Sequence, residues 1–333
     1  MSRSSSSVSL VGRTVRLEVP ATTANLGAGF DALALALDLC NVIEVEAVAP
    51  TTRPVVEVTV SGEGMGQLPT DGSNRFVVML LRGLAEGGLG DPGCGWRVRM
   101  ENAIPVARGL GSSAAASVGA LVGARALLAV DDAAVPGLAD EDILALADEA
   151  EGHADNAAAA VHGGLCVVAS VTGRPRALRI EPPPSLLAVL FIPDRPLSTT
   201  SMRAALPTHV PFADAVHNVG AATLAVAALS QGRLDLLAPA MVDRLHEPYR
   251  AAVYPELPHL IAAARDAGAL GACLSGAGST IIAFSDDPER AAVLAGALED
   301  RANHLGLAGR SLVRRARSAG VRVLGSRPGP AFS

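Results

Sequence analysis

Two glycines around a leucine, two serines and a run of alanines make "RGLGSSAAAS", residues 108 to 117, a stretch almost without large side chains. Glycine permits φ > 0 and close backbone approach, and a helix starting on small residues leaves its first N–H groups open to an anion. A packing turn before a small-residue helix has the same composition, so the stretch alone leaves phosphate cradle and turn both open. A second cluster, "EGHADN" at 151–156, sets Glu151, His153, Asp155 and Asn156 ahead of an apolar helix. Such residues ligate metals and substrates, and they also cap helices, here one over 157–162. "STTSMRAALP" at 198–207 and "DRLHEPYRAAVYPEL" at 243–257 each place an arginine, Arg203 and Arg250, beside small or aromatic residues. A guanidinium grips a carboxylate with two parallel hydrogen bonds, although an exposed Arg is ordinarily only a solvated charge.

"NLGAGFDA" at 25–32 contains Gly27-x-Gly29-x-x-Ala32, with Glu46 near the acidic position of a dinucleotide fingerprint. That fingerprint needs a strand running straight into the glycines, whereas Pro20 and a polar turn intervene here, so NAD binding is disfavoured. "LSGAGSTIIAF" at 274–284 reads as a small-residue turn between two strands.

All 27 basic residues are Arg, and Lys is absent. The absence excludes a Schiff-base lysine, a Walker A loop and the strand lysine of protein kinases. Phosphates, if bound, must be held by backbone N–H groups, Arg and a metal. A net charge of -6 and 3% aromatic residues give no attraction to a polyanion and little material for base stacking, so no nucleic-acid partner is expected. "MSRSSSSVSL" lacks the apolar core of a secretory signal, no uninterrupted apolar run reaches the roughly 18 residues of a membrane span, and a soluble cytoplasmic chain without a membrane partner is expected. Cys40, Cys94, Cys166 and Cys273 are too scattered to suggest a zinc site or a disulfide framework.

The elements that must position these groups follow from periodicity. Alternation predicts strands over 13–19, ended by Pro20, then over "NVIEVEAV", 55–62, 95–105 and 163–170, with 32–39 readable as helix or strand. Helices are predicted over 74–87, from the alanine run to residue 130, and over 140–150. "EPPPS" at 181–185 marks the expected boundary between domains of 1–180 and 181–333. Beyond it come a strand at 186–192, helices near 211–230, 233–246 and 256–267, a hairpin at 270–285, a helix at 287–303 and a last strand near 319–325. The class is α+β, with a split βαβ sandwich in the second half.

Taken together, "PATTANLGAGFDALALAL" at 20–37, "PVARGLGSSAA" at 105–115 and "LSGAGST" at 274–280 appear in the order of the three motifs of the GHMP kinase superfamily. With "EGHADN", "MRAALP" and "LHEPYR", the chain resembles that superfamily, and within it the branch phosphorylating homoserine, over nearly its full length. The resemblance implies a ribosomal-protein-S5-like N-terminal domain that binds ATP, a ferredoxin-like C-terminal domain, and a homodimer. ATP phosphates would be wrapped by Pro105, Val106, Ala107, Arg108, Gly109, Leu110, Gly111, Ser112, Ser113, Ala114 and Ala115. Mg²⁺ would be held by Ser112 or Ser113, with Ser113 favoured, and by Glu151 in preference to Glu149. L-homoserine would meet Asn25 and Asp31 at its amino-acid head and hydroxyl, and Arg203 and Arg250 at its carboxylate. His153, Asn156, Thr199 and Gly276 would line the pocket. Asn25, Asp31, Asn156 and Arg203 form the implied catalytic group. Asn156 stands where related kinases carry an Asp able to act as base, so transfer without a strong protein base is expected. Ala28 and Ala34 depart from the family's usual Pro and Gly. Phosphorylation of mevalonate, shikimate or an isoprenoid precursor, or a non-catalytic sensor of the same fold, are the rival readings.

Overall fold

A computed structural model describes residues 9–50, 56–129 and 135–327. The serine-rich start read above for targeting signals lies outside the described residues up to position 8, as do the ends of two quoted runs at positions 55 and 130. The first half runs β1 (Thr14–Ala24), β2 (Leu33–Val48), β3 (Val56–Gly62), α1 (Arg75–Glu86), β4 (Gly95–Asn102), α2 (Ser112–Leu128), α3 (Asp140–Glu151), α4 (Asp155–His162), β5 (Leu165–Val171) and β6 (Arg174–Ile180). The second half follows with β7 (Leu187–Pro193), α5 (Thr199–Ala204), α6 (Phe212–Gln231), a 3-10 turn over Leu234–Leu236, α7 (Leu237–Ala240), α8 (Glu247–Arg250), α9 (Leu257–Asp266), β8 (Gly271–Leu274), β9 (Ile281–Ser285), α10 (Pro288–His304), β10 (Gly309–Arg315) and β11 (Arg322–Arg327).

The first sheet has the order β11-β1-β2-β4-β3, and β5 joins it through β2 and carries β6. β2 divides its far edge: Leu33–Leu35 pair with β5, while Val42–Val48 pair with β4. Pro20 therefore does not end β1, contrary to the sequence reading. A register shift between Pro20 and Ala21 absorbs the missing N–H, and pairing with β2 continues to Ala24. Residues 33–39 are strand because they continue this ladder. The hairpin β5–β6 escaped the sequence analysis; its turn, Thr172-Gly173, has both φ values positive, as a two-residue hairpin turn requires.

The second sheet has the order β10-β7-β9-β8, antiparallel throughout, with α9 and α10 packed on it. This is the expected split βαβ sandwich, closed by a different strand. β10 completes it, whereas β11 returns to the first sheet beside β1, so the expected strand near 319–325 belongs to the other half. The helix expected over 233–246 is also corrected: Gly232 closes α6, a 3-10 turn over Leu234–Leu236 and four-residue α7 follow, and from Met241 the chain is irregular up to α8. The irregular stretch is held by Asp243, whose carboxylate accepts from the backbone N–H groups of Leu245, His246 and Glu247.

α6 is long and apolar enough by composition to cross a membrane, yet its Asn218 donates to Ala28 O at 3.1 Å and to Asp243 Oδ1 at 2.7 Å. These bonds tie it to the loop that follows β1 and to the irregular stretch that holds Asp243.

Candidate active site

Three glycine-containing segments distant in sequence meet between the sheets and are joined mainly through backbone. Thr22 N donates to Leu110 O, Gly276 N to Ala24 O, and Thr280 N to Arg108 O, at 3.0–3.2 Å. Ser275 Oγ donates to Gly109 O at 2.6 Å and lies in hydrogen-bond contact with the Thr23 hydroxyl at 2.9 Å. Gly109 and Gly111 both have positive φ, +77° and +68°. A Cβ on Gly109 would lie 2.1 Å from Ser275 O, and one on Gly111 would lie 2.0 Å from Thr22 Oγ1. The bareness of the loop thus lets the segments interlock as well as leaving space before them.

Gly111 is the N-cap of α2 and offers no side-chain cap, and the first turn holds no acidic residue. Its unpaired N–H groups face a cleft of about 120 Å³ lined by Ala107–Ala114, Glu151, His153, Asn156, Thr199, Gly276 and Ala277. Arg108 contributes backbone only. Its guanidinium donates to the carbonyls of Val106, Pro193 and Asp194 and so does not extend into the cleft.

The alternatives for the second cluster separate here. Ser113 Oγ donates to Glu151 Oε1 at 2.8 Å. Glu149 instead pairs with Arg82 at the surface. The same Glu151 oxygen accepts from Ser117 Oγ at 2.9 Å and Arg75 Nη2 at 2.7 Å, and Arg75 also holds Ser117 Oγ and Ala150 O. Arg75 and Ser117 escaped the sequence analysis, because in sequence each is only a polar residue on a helix. Among the described residues no group of three His, Cys, Asp or Glu side chains could hold a metal by itself. One carboxylate and one hydroxyl do suit Mg²⁺, which binds hard oxygens and usually keeps waters and substrate phosphates as its other ligands.

α4 begins at Asp155, so Asp155 and Asn156 lie in its first turn and do not cap a later start. Asp155 Oδ1 accepts from Asn156 N at 2.6 Å and lies 2.7 Å from His153 Nδ1. Burial works against a charged His153, but this bond and the charge of Asp155 prevail and raise its pKa. Asn156 Oδ1 accepts from Thr22 Oγ1 at 2.7 Å.

The far end of the site is made of side chains. Asn25 and Asp31 both have positive φ, 71° and 54°, and Asp31 N donates to Asn25 Oδ1 at 3.1 Å. Asn25 Nδ2 and Arg250 Nη1 converge on Gly276 O, each at 2.9 Å. Asp31 forms a two-pronged ion pair with Arg203 at 2.7 and 3.1 Å. Thr199 and Arg203 sit four residues apart on α5, hence on one face. Phe30, absent from the sequence-based site, is a shared platform: the guanidinium carbons of Arg203 and Arg250 lie 5.7 and 5.4 Å from its ring centre, and His246 stacks on it at 5.1 Å. Arg250 is 1% exposed, and burial followed by the charge of Arg203 lowers its pKa to about 10, so it stays cationic. His246 is lowered to about 4, mainly by burial, and is neutral at pH 7. Its Nε2–H therefore donates to Gly27 O at 2.9 Å, and Nδ1 accepts from Arg250 Nη1 at 3.2 Å.

Comparison with known proteins places this geometry. Residues 75–164 match the family "GHMP kinases N terminal domain" and residues 225–304 match "GHMP kinases C terminal". A homoserine kinase of Moorella thermoacetica is 42% identical over 268 residues, 80% of this chain and 86% of that protein. One of Streptomyces coelicolor is 42% identical over 295 residues, 88% and 92%. Among solved structures, homoserine kinase from Cytophaga hutchinsonii has a TM-score of 0.81 at 27% identity, covering 97% of this chain and 99% of that one. An L. major mevalonate kinase in complex with R-mevalonate has a TM-score of 0.63 at 18% identity, covering 96% and 100%, and shares the fold.

Proposed function

The chain belongs to the GHMP kinases and, within them, to the homoserine kinases; on that premise we propose how its residues transfer the γ-phosphoryl group of ATP to the hydroxyl of L-homoserine, giving O-phospho-L-homoserine for threonine biosynthesis. The observation that supports the assignment of roles is that the backbone-lined cleft borders a cluster of charged side chains: Gly276 and Thr199 line the cleft, Arg250 and Asn25 donate to Gly276 O, and Arg203 shares α5 with Thr199 and pairs with Asp31. The N–H groups at the start of α2 take the phosphates. Glu151 and Ser113 would hold Mg²⁺, which when bound neutralises phosphate charge in transfer. Arg203 and Arg250 take the α-carboxylate, Asp31 takes the α-ammonium, and Asn25 fixes the loop carrying Asp31.

The site's carboxylates are all engaged. Asp31 is held by Arg203, Asp155 by His153 and the start of α4, and Glu151 by Arg75 and two serines. Asn156 has no proton-accepting role to play, and its amide orients the acceptor hydroxyl. For a loose phosphoryl-transfer transition state, in-line positioning and charge neutralisation supply most of the rate, and the hydroxyl proton leaves late, to phosphate or water.

Residence in the cytoplasm, a homodimer, and the division into an ATP-binding domain of residues 1–180 and a second domain of 181–333 belong to the proposal. The return of β11 to the first sheet amends the far end of that division. The test is ADP release with MgATP against homoserine, mevalonate, shikimate and galactose, followed by Asn156→Asp. Turnover with homoserine alone supports the reading; turnover with mevalonate alone overturns the substrate, and turnover with none points to a sensor. A protein base elsewhere in the pocket would show as a steep acidic limb in the pH profile of kcat that survives Asn156→Asp.

A further inference from the structure

The two side chains assigned to opposite charges of the amino-acid head bind each other. Asp31 and Arg203 come from segments 172 residues apart, and both ends of the pair are about one-third exposed, on the side of the cleft where α5 contributes Thr199 to its lining. Neither is free to wander. Asp31 sits in a left-handed backbone conformation pinned by Asn25, which is itself bonded to Gly276 O. Arg203 is carried by α5, which is anchored by fully buried Met202 and a Ser198 cap, and its guanidinium lies over Phe30. Arg250, by contrast, uses Nε on Met202 O and Nη1 on Gly276 O and His246, and none of its donors on a carboxylate among the described residues.

In chemical terms the pair reproduces the ligand. The Asp31 carboxylate occupies on Arg203 the place of an α-carboxylate, and the Arg203 guanidinium occupies on Asp31 the place of an α-ammonium. We propose that the Asp31–Arg203 ion pair is an internal stand-in for a zwitterion and makes the site selective for ligands that carry both charges. This rests on the reading of the site as the amino-acid subsite. A ligand bearing both charges opens the pair and repays each half: ammonium to Asp31, carboxylate to Arg203 and Arg250. A ligand with only one charge opens the pair and leaves the other half without a partner. The pair thus acts as built-in competition, which a zwitterion cancels and a simple amino alcohol or hydroxy acid does not.

The consequence is a reversal of sign. Removing one member of the pair should weaken binding of L-homoserine and strengthen binding of the single-charge fragment that uses the surviving member. The fragments are aminopropanol, which is homoserine without its carboxylate, and γ-hydroxybutyrate, which is homoserine without its ammonium. Equilibrium binding is measured by calorimetry or ligand-observed NMR on the full chain with wild type, Arg203→Gln, Asp31→Asn and Arg203→Lys. Aminopropanol should bind Arg203→Gln about three- to tenfold more tightly than wild type, and γ-hydroxybutyrate should gain similarly with Asp31→Asn, the size expected of a partly exposed bidentate pair.

Arg203→Lys keeps the positive charge but loses the planar fork, so a gain for aminopropanol there reports the loosened contact and not an altered field. All three replacements are at partly exposed positions, and an unchanged Tm shows that the fold is intact. Fragment affinities that fall or stay level in every variant overturn the proposal, as does a gain in Arg203→Gln that is absent in Arg203→Lys. Failure of wild type to bind L-homoserine at all overturns the amino-acid reading itself, and the selectivity proposal with it.

Discussion

The two parts of the proposed site, the backbone-lined cleft and the charged cluster beside it, are built from different materials. At the proposed phosphate end the reagents are peptide N–H groups at the start of α2, and the side chains are kept small so that three loops can interlock. At the proposed amino-acid end the reagents are side-chain charges from three distant segments, Asp31, Arg203 and Arg250, oriented by Phe30, neutral His246 and the carbonyl of Gly276. A backbone device needs an exact path of the chain and tolerates no added atom. A side-chain device tolerates atoms but depends on charge and on fork geometry.

The sharpest way to break this comparison is to add one methyl group at the phosphate end. Gly111→Ala carries no charge change, but its Cβ would meet Thr22 Oγ1 at 2.0 Å and Asn156 Oδ1 at 3.2 Å, at a φ of +68°. kcat/KM should fall by about 100-fold or more, with a stability loss of roughly 1–3 kcal/mol, seen in steady-state kinetics and a urea titration. Activity within twofold of wild type would mean that loop geometry is not what holds the phosphates. At the other end, Arg250→Lys preserves charge and removes the fork. KM for homoserine should rise roughly ten- to hundredfold with KM for ATP little changed, the scale of losing a hydrogen bond between charged groups in a buried site.

Arg75→Met probes the one place where the phosphate end does rely on a side-chain network. Removing the group that holds Glu151 Oε1 should shift the Mg²⁺ concentration for half-maximal activity by about tenfold, as is typical when a ligand's supporting partner is lost. An unchanged Mg²⁺ dependence would take Arg75 out of the site.

The smallest effect on activity is expected at Glu247, one turn before Arg250 on α8, where the readout is stability. Burial pushes its carboxyl up to about 8 from an ordinary 4.5, against the Leu274 N–H that donates to it. The folded chain therefore keeps a proton that the unfolded chain has released. The stabilisation is complete below 4.5 and is lost as pH rises through about 8. Glu247→Gln should flatten the fall of Tm over that interval, and a slope equal to wild type would show that Glu247 is ionised in the fold.

The uneven legibility of the site follows from the same contrast. "GLGSS" could be read as an anion site because a loop and the helix it starts are contiguous, and their conformational needs are written in residue type. Arg75 and Ser117 could not be read this way. They reach Glu151 only because α1 and α2 pack side by side, and that packing joins residues 34 to 76 positions apart. Pro20 misled because a proline reads as a strand terminator until a partner strand supplies a register shift that tolerates it. The last strand was assigned to the wrong sheet because alternation says that a strand exists and says nothing of its neighbour.

By itself, the sequence determined the α+β class, the order of most elements, the glycine loops and the need for a lysine-free way of holding phosphate. Each of these depends on local conformational preference or on composition, which short stretches of chain express without their partners. Only the tertiary structure decided that Ser113 is the hydroxyl on Glu151, that Asp31 and Arg203 hold one another, and that β11 closes onto β1. These are long-range contacts, selected by which surfaces can be buried together with every donor and acceptor paired, and that condition is met by the whole chain at once.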